Sequence, residues 1–129
     1  MVRLVIGRGW GQGPQHSQSL QALFAHIPGL KVVMPALPSD AYNLLKKETD
    51  KIVLLHCVSS YPLDERYANL NVINTLRNKY DCLIGYSDHT NDIKIPLYAV
   101  ATGAQVIEKH YKISNEMDCV DSSVSITED

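Results

Sequence analysis

The chain has 129 residues, 45% of them hydrophobic and 20% charged, with a formal net charge of -2. One core fits that length. The absence of a basic stripe interleaved with aromatics excludes a nucleic-acid surface, and apolar runs far short of the ~20 residues of a membrane span predict a cytoplasmic protein with no membrane partner.

Val2 to Ile6 reads as a first strand and breaks at Gly7-Arg8-Gly9-Trp10-Gly11-Gln12-Gly13-Pro14, a stretch too rich in glycine for regular structure. Leu20, Leu23, Phe24 and Ile27 recur at helical spacing, with Ser17 or Ser19 as the cap and Pro28-Gly29 as the stop. Lys31 to Met34 predicts a second strand, ended by Pro35. Pro38-Ser39-Asp40 opens a second helix that runs to Lys47, with Lys46 and Lys47 near its negative carboxyl end. The polar stretch Lys46 to Lys51 predicts a solvated seam between two parts of the chain.

Ile52 to Leu55 is a third strand and runs into His56-Cys57-Val58-Ser59-Ser60-Tyr61-Pro62. Leu70, Ile73, Leu76 and Tyr80 mark a third helix, and Leu83 to Tyr86 a fourth strand. Pro96, the apolar Leu97 to Ala101 and a Gly103 cap describe a fourth helix. Val106 to Lys109 makes a fifth strand, and the tail from Ser114 shows no periodicity. The alternation predicts an α/β fold with about five parallel strands, four helices and right-handed crossovers.

Two histidines stand out chemically: His89 in Tyr86-Ser87-Asp88-His89-Thr90 and His110 in Glu108-Lys109-His110-Tyr111, each just beyond an apolar run. In a parallel sheet, strands lie ~4.8 Å apart and ligands collect at their carboxyl ends. Imidazoles on neighbouring strands could reach one divalent ion through metal to nitrogen bonds of ~2.1 Å, with coordination positions left open for a substrate. His56, by contrast, reads as structural. Ser59-Ser60 reads equally as a turn or as a pair of hydroxyl donors. Cys57, Cys82 and Cys119 lack Cys-x-x-Cys spacing and read as reduced thiols. The glycine run fails the Gly-x-Gly-x-x-Gly pattern, and no Gly-Lys-Ser/Thr follows, so it reads as a loop rather than a phosphate cradle.

From Lys51 onward, Leu54-Leu55-His56-Cys57-Val58-Ser59-Ser60-Tyr61-Pro62, Ile84-Gly85-Tyr86-Ser87-Asp88-His89-Thr90 and Ala104-Gln105-Val106-Ile107-Glu108-Lys109-His110-Tyr111 resemble the sialic acid synthase family. That family includes the N-acetylneuraminate, legionaminate and pseudaminate synthases. The resemblance implies a partial (β/α)8 barrel, a metal-assisted condensation of phosphoenolpyruvate with an N-acyl amino sugar, and a divalent manganese, magnesium or cobalt ion as cofactor. It implies His89 and His110 as metal ligands, Glu108 and Tyr61 at the reacting centre, and Ser59, Ser60 and Ser87 as substrate contacts. Asp121 resembles the family's sugar-binding aspartate, although the usual Gly-Pro-Asp reads Cys119-Val120-Asp121 here.

Residues 1–45 resemble a different family. Gly7-Arg8-Gly9-Trp10-Gly11, Pro14-Gln15-His16-Ser17-Gln18-Ser19, Phe24 to Pro35 and Asp40-Ala41 are similar to the pyrimidine-binding domain of thiamine-diphosphate enzymes such as 2-oxoacid dehydrogenase beta subunits and transketolase-like proteins. That likeness implies a catalytic His16 and, as cofactor, thiamine diphosphate with magnesium. Neither the thiamine-activating glutamate nor the diphosphate-holding domain is among these residues. Together the two resemblances imply a chimera, with a thiamine-enzyme fragment over residues 1–45 joined to a synthase-like partial barrel over 46–129. A closed barrel of this kind takes about 250 residues and eight strands, so the sequence predicts an incomplete site, or an inactive piece that needs a partner. Open sheet edges predict a homo-oligomer.

Overall fold

Apolar spacing through residues 20–27 yields only a short helix, α1 (Gln21–Ala25), in the computed structural model, which describes residues 18–128. Leu20 stands at its N-cap with no side-chain cap bond, so Ser19 does not close it, and Ser17 lies outside the described residues. The predicted strand at Lys31 to Met34 does not form. Residues 30–35 have no regular structure, and Val33 and Met34 are 56% and 59% exposed. An apolar run becomes a strand only where a neighbouring backbone takes its hydrogen bonds, and none does so here among the described residues. The other predicted N-terminal features, the Val2 to Ile6 strand, the glycine loop and His16, lie outside the described residues.

Helix α2 (Pro38–Lys46) follows, with Asp40 in its first turn and Lys46 in its last, charges that oppose the helix dipole at each end. Asp40 Oδ2 accepts from the Leu37 N–H at 3.3 Å. The chain divides into two units between Tyr42 and Asn43.

In the second unit, three apolar runs form a parallel sheet in the order β1 (Val53–Cys57), β2 (Leu83–Asp88), β3 (Val106–Lys109). Helix α3 (Asn71–Lys79) connects β1 to β2, and α4 (Lys94–Thr102) connects β2 to β3. The α/β alternation expected after Lys51 is therefore present, as an open sheet of three strands with four helices along the described chain. The ladder runs from Val53 opposite Leu83 to Cys57 opposite Ser87, then from Gly85 opposite Val106 to Asp88 opposite Lys109. Pairing thus carries β1 and β2 two residues beyond their apolar cores, into the polar segments that hold the candidate site.

One face of the sheet is covered. Ile84 and Tyr86 of β2 join Ile73 of α3 and Ile95 and Ala99 of α4 in the core, together with Leu63, Ala68 and Ala104. Side chains alternate across a strand, so Gly85 and Ser87 point to the opposite face. A Cβ at Gly85 would sit 2.9 Å from Val106 Cβ and closer still to the Val106 carbonyl oxygen, which is why only glycine fits there. Helix α4 ends as its sequence predicts, on Gly103 at φ 109°, whose N–H reaches the Ala99 and Val100 carbonyls. Beyond β3 the aperiodic tail is nonetheless ordered by contact. Tyr111 and Ile126 form a parallel bridge, and Val124 in a 3-10 turn (Ser122–Val124) is fully buried.

Candidate functional site

Because β2 and β3 are neighbours, the residues just past them come together at one end of the sheet. The His89 and His110 ring centroids lie 5.3 Å apart. Tyr61, on the loop after β1, packs against both, with its ring 4.0 Å from that of His89 and edge-on to His110 at 5.7 Å. His89 is only 3% exposed. The sequence-predicted pair of imidazoles and the tyrosine therefore converge.

Each imidazole has one nitrogen occupied. His89 Nδ1 lies 2.9 Å from the Val58 carbonyl oxygen. A carbonyl only accepts, so Nδ1 carries the proton and Nε2 of the neutral ring keeps its lone pair. His110 Nδ1 lies 3.5 Å from Asp121 Oδ2. A carbonyl or carboxylate on the far ring nitrogen is how metal-binding histidines are oriented. The donor set thus fits a divalent ion held by two imidazole nitrogens with other positions open. Among the described residues no group of three or more His, Cys, Asp or Glu is arranged to hold a metal.

Beside the imidazoles, Ser87 donates its hydroxyl proton to Glu108 Oε1 at 2.6 Å, across the β2 and β3 register pair. That short bond joins two residues whose motifs lie 21 positions apart. The Tyr61 phenol is raised above the ordinary tyrosine range, first by partial burial and then by nearby Cys57, Asp121 and Glu108, so it remains a neutral donor. Ser60 donates to the Pro62 carbonyl at 3.1 Å, the geometry of a turn, and Ser59 is exposed on the same loop. His56 bonds the Ala68 carbonyl at 2.8 Å, a structural role. Cys57 is an addition to the sequence candidates: its Sγ lies 3.9 Å from His89 Nδ1. The sequence signal was its place two residues beyond Leu55, on the strand face that alternation gives to Ser87. A separate depression of about 790 Å³, lined by Lys46, Lys51, Leu83 and Gln105 among others, includes none of these groups and opens at the start of the strands. No helix among the described residues is long and apolar enough to cross a membrane.

Comparison with known proteins gives a consistent result. The NeuB family model matches residues 32–129. An uncharacterized protein of Methanocaldococcus jannaschii is 47% identical over 74 residues, covering 57% of this chain and 22% of that protein. The N,N'-diacetyllegionaminic acid synthase of Campylobacter jejuni is 41% identical over 90 residues, covering 67% of this chain and 27% of that protein. The solved N-acetylneuraminic acid synthetase of Leptospira borgpetersenii superposes with a TM-score of 0.67 at 47% identity, over 71% of this chain and 33% of that one. This chain spans only about a quarter of the length of the curated relatives it matches.

Proposed function

Since this chain belongs to the NeuB family, we propose that the face carrying His89, His110, Tyr61, Ser87 and Glu108 is part of a sialic acid synthase-type site. The reaction condenses phosphoenolpyruvate with an N-acyl amino sugar to give a nonulosonic acid. The observation that supports this reading above all is the 5.3 Å approach of the two imidazoles, each with its Nδ1 occupied and its Nε2 available.

His89 and His110 would hold a divalent ion such as manganese, magnesium or cobalt, and when bound it would supply Lewis-acid polarisation of the sugar aldehyde, worth several kcal/mol of barrier. The chain's own residues have separate tasks. Tyr61, kept neutral, donates a hydrogen bond to a substrate oxygen at the edge of the imidazole pair. Ser87 directs its proton at Glu108 and so fixes that carboxylate at the reacting centre, where it can hold or pass a proton. As the bond stands, Ser87 offers substrate an acceptor oxygen, and donates to the phosphate or carboxylate only once Glu108 lets go. Asp121 steadies the His110 ring, which sets it beside the sugar as well. Ser59 and Ser60 are the loop hydroxyls nearest to Tyr61 in sequence and serve as secondary substrate contacts.

Manganese titration followed by water-proton relaxation tests the metal reading. Binding that is lost in both His89→Ala and His110→Ala is the expected result, and binding in the two variants equal to that of the parent chain overturns it. Phosphate release from phosphoenolpyruvate with an N-acyl amino sugar tests the reaction. The thiamine reading of residues 1–45 rests on the sequence resemblance that includes His16, and quenching of Trp10 fluorescence by thiamine diphosphate with magnesium is its test.

A further inference from the structure

One residue before each imidazole stands a charged side chain on the opposite face of the sheet: Asp88 precedes His89, and Lys109 precedes His110. The two charged residues face each other in register. Asp88 is fully buried and the Lys109 side chain is 9% exposed, with Nζ 2.7 Å from Asp88 Oδ2. Lys109 Nζ also donates to the Thr90 backbone carbonyl. The Thr90 hydroxyl donates to the same Asp88 oxygen at 2.8 Å and lies 3.2 Å from the Asp92 carbonyl.

These bonds bracket His89 in the chain, with Asp88 before it and Thr90 after it, and tie both to Lys109 at the end of the strand that His110 follows. Lys109 and Thr90 both reach the Asp88 carboxylate through Oδ2, while Oδ1 is buried with no hydrogen-bond partner among the described residues. One oxygen thus carries the network. A buried ion pair is poor evidence of added stability, because removing two charges from water offsets much of their attraction.

We propose that Asp88, Lys109 and Thr90 form a positioning network that sets the spacing and orientation of His89 and His110 from behind the sheet, so that both rings meet one divalent cation. The inference rests on the reading of the two histidines as metal ligands. It adds that their geometry comes from three residues that touch neither metal nor substrate. Networks that orient metal-binding imidazoles are commonly worth ten- to a hundredfold in affinity.

The test uses the whole chain and two variants, the charge-free pair Asp88→Leu/Lys109→Leu and the near-isosteric Thr90→Val. Manganese affinity is read by relaxation enhancement, and the proximity of the His89 ring to those of His110 and Tyr61 is read as NMR cross-peaks without metal. The expected result for the folded double variant is manganese binding at least tenfold weaker, with the ring cross-peaks abolished. Wild-type affinity and wild-type cross-peaks in that variant overturn the proposal. Failure of the parent chain to bind manganese sinks the metal reading, while the NMR cross-peaks still decide the positioning claim. If the double variant does not fold, Thr90→Val decides: altered cross-peak intensities support the network, and unchanged intensities overturn it.

Discussion

Asp64 caps a 3-10 turn (Glu65–Tyr67) by accepting from the Arg66 N–H at 3.0 Å, and it also receives the Arg66 guanidinium. The Arg66 side chain, followed by its backbone N–H, lowers the carboxyl from 3.8 to about 2. A folded value below the unfolded one means that the contribution is present above pH ~4 and is lost as pH falls through about 2. Carboxyl carbon NMR should place the Asp64 midpoint near the lower value, and Arg66→Ala should return it to the ordinary range. Lys109 presents the contrasting buried case. Lys109→Met leaves Asp88 buried without its cation and should cost roughly 3–5 kcal/mol in urea denaturation. Removing both charges should cost much less.

At the next scale, the Gly103 cap shows how much a helix end depends on one residue. Its φ of 109° is open to glycine and strained for any other side chain, and a Cβ there would also press on the Arg77 guanidinium, 3.1 Å from Cζ. Gly103→Ala should therefore lower stability by at least ~1 kcal/mol, read as a fall in the thermal midpoint, and an unchanged midpoint would refute that cost. This cap was legible in the sequence, as were α3, β3 and the apolar centres of β1 and β2, because local spacing and turn chemistry specify them. The segment 31–34 was misread because its apolar pattern says nothing about whether a partner strand exists. The meeting of His89 with His110 depended on strand order, a long-range fact that periodicity does not encode. The Ser87 to Glu108 bond and the Asp88 to Lys109 pair follow from register for the same reason. Once β2 and β3 are aligned, each residue finds its partner directly opposite.

At the largest scale, the second unit has a sheet covered on one face by its own helices and open at both edges among its described strands. β1 and β3 each pair only with β2 among the described strands, and Leu97, Tyr98 and Val100 of α4 are 60%, 59% and 53% exposed. Unpaired strand edges beside apolar surface favour association. Sedimentation velocity should show a weight-average mass that rises with concentration. A single monomeric species over a hundredfold range would remove that expectation.

The bridge between Tyr111 and Ile126 has a consequence for how this end of the molecule opens. The Ile126 N–H bonds the His110 carbonyl at 3.0 Å, and the Lys112 N–H bonds the Ile126 carbonyl at 2.9 Å, so neither amide is released unless the returning tail lifts away. Deuterium uptake at these two positions should follow one shared rate, a cooperative latch whose release also frees the main chain at His110.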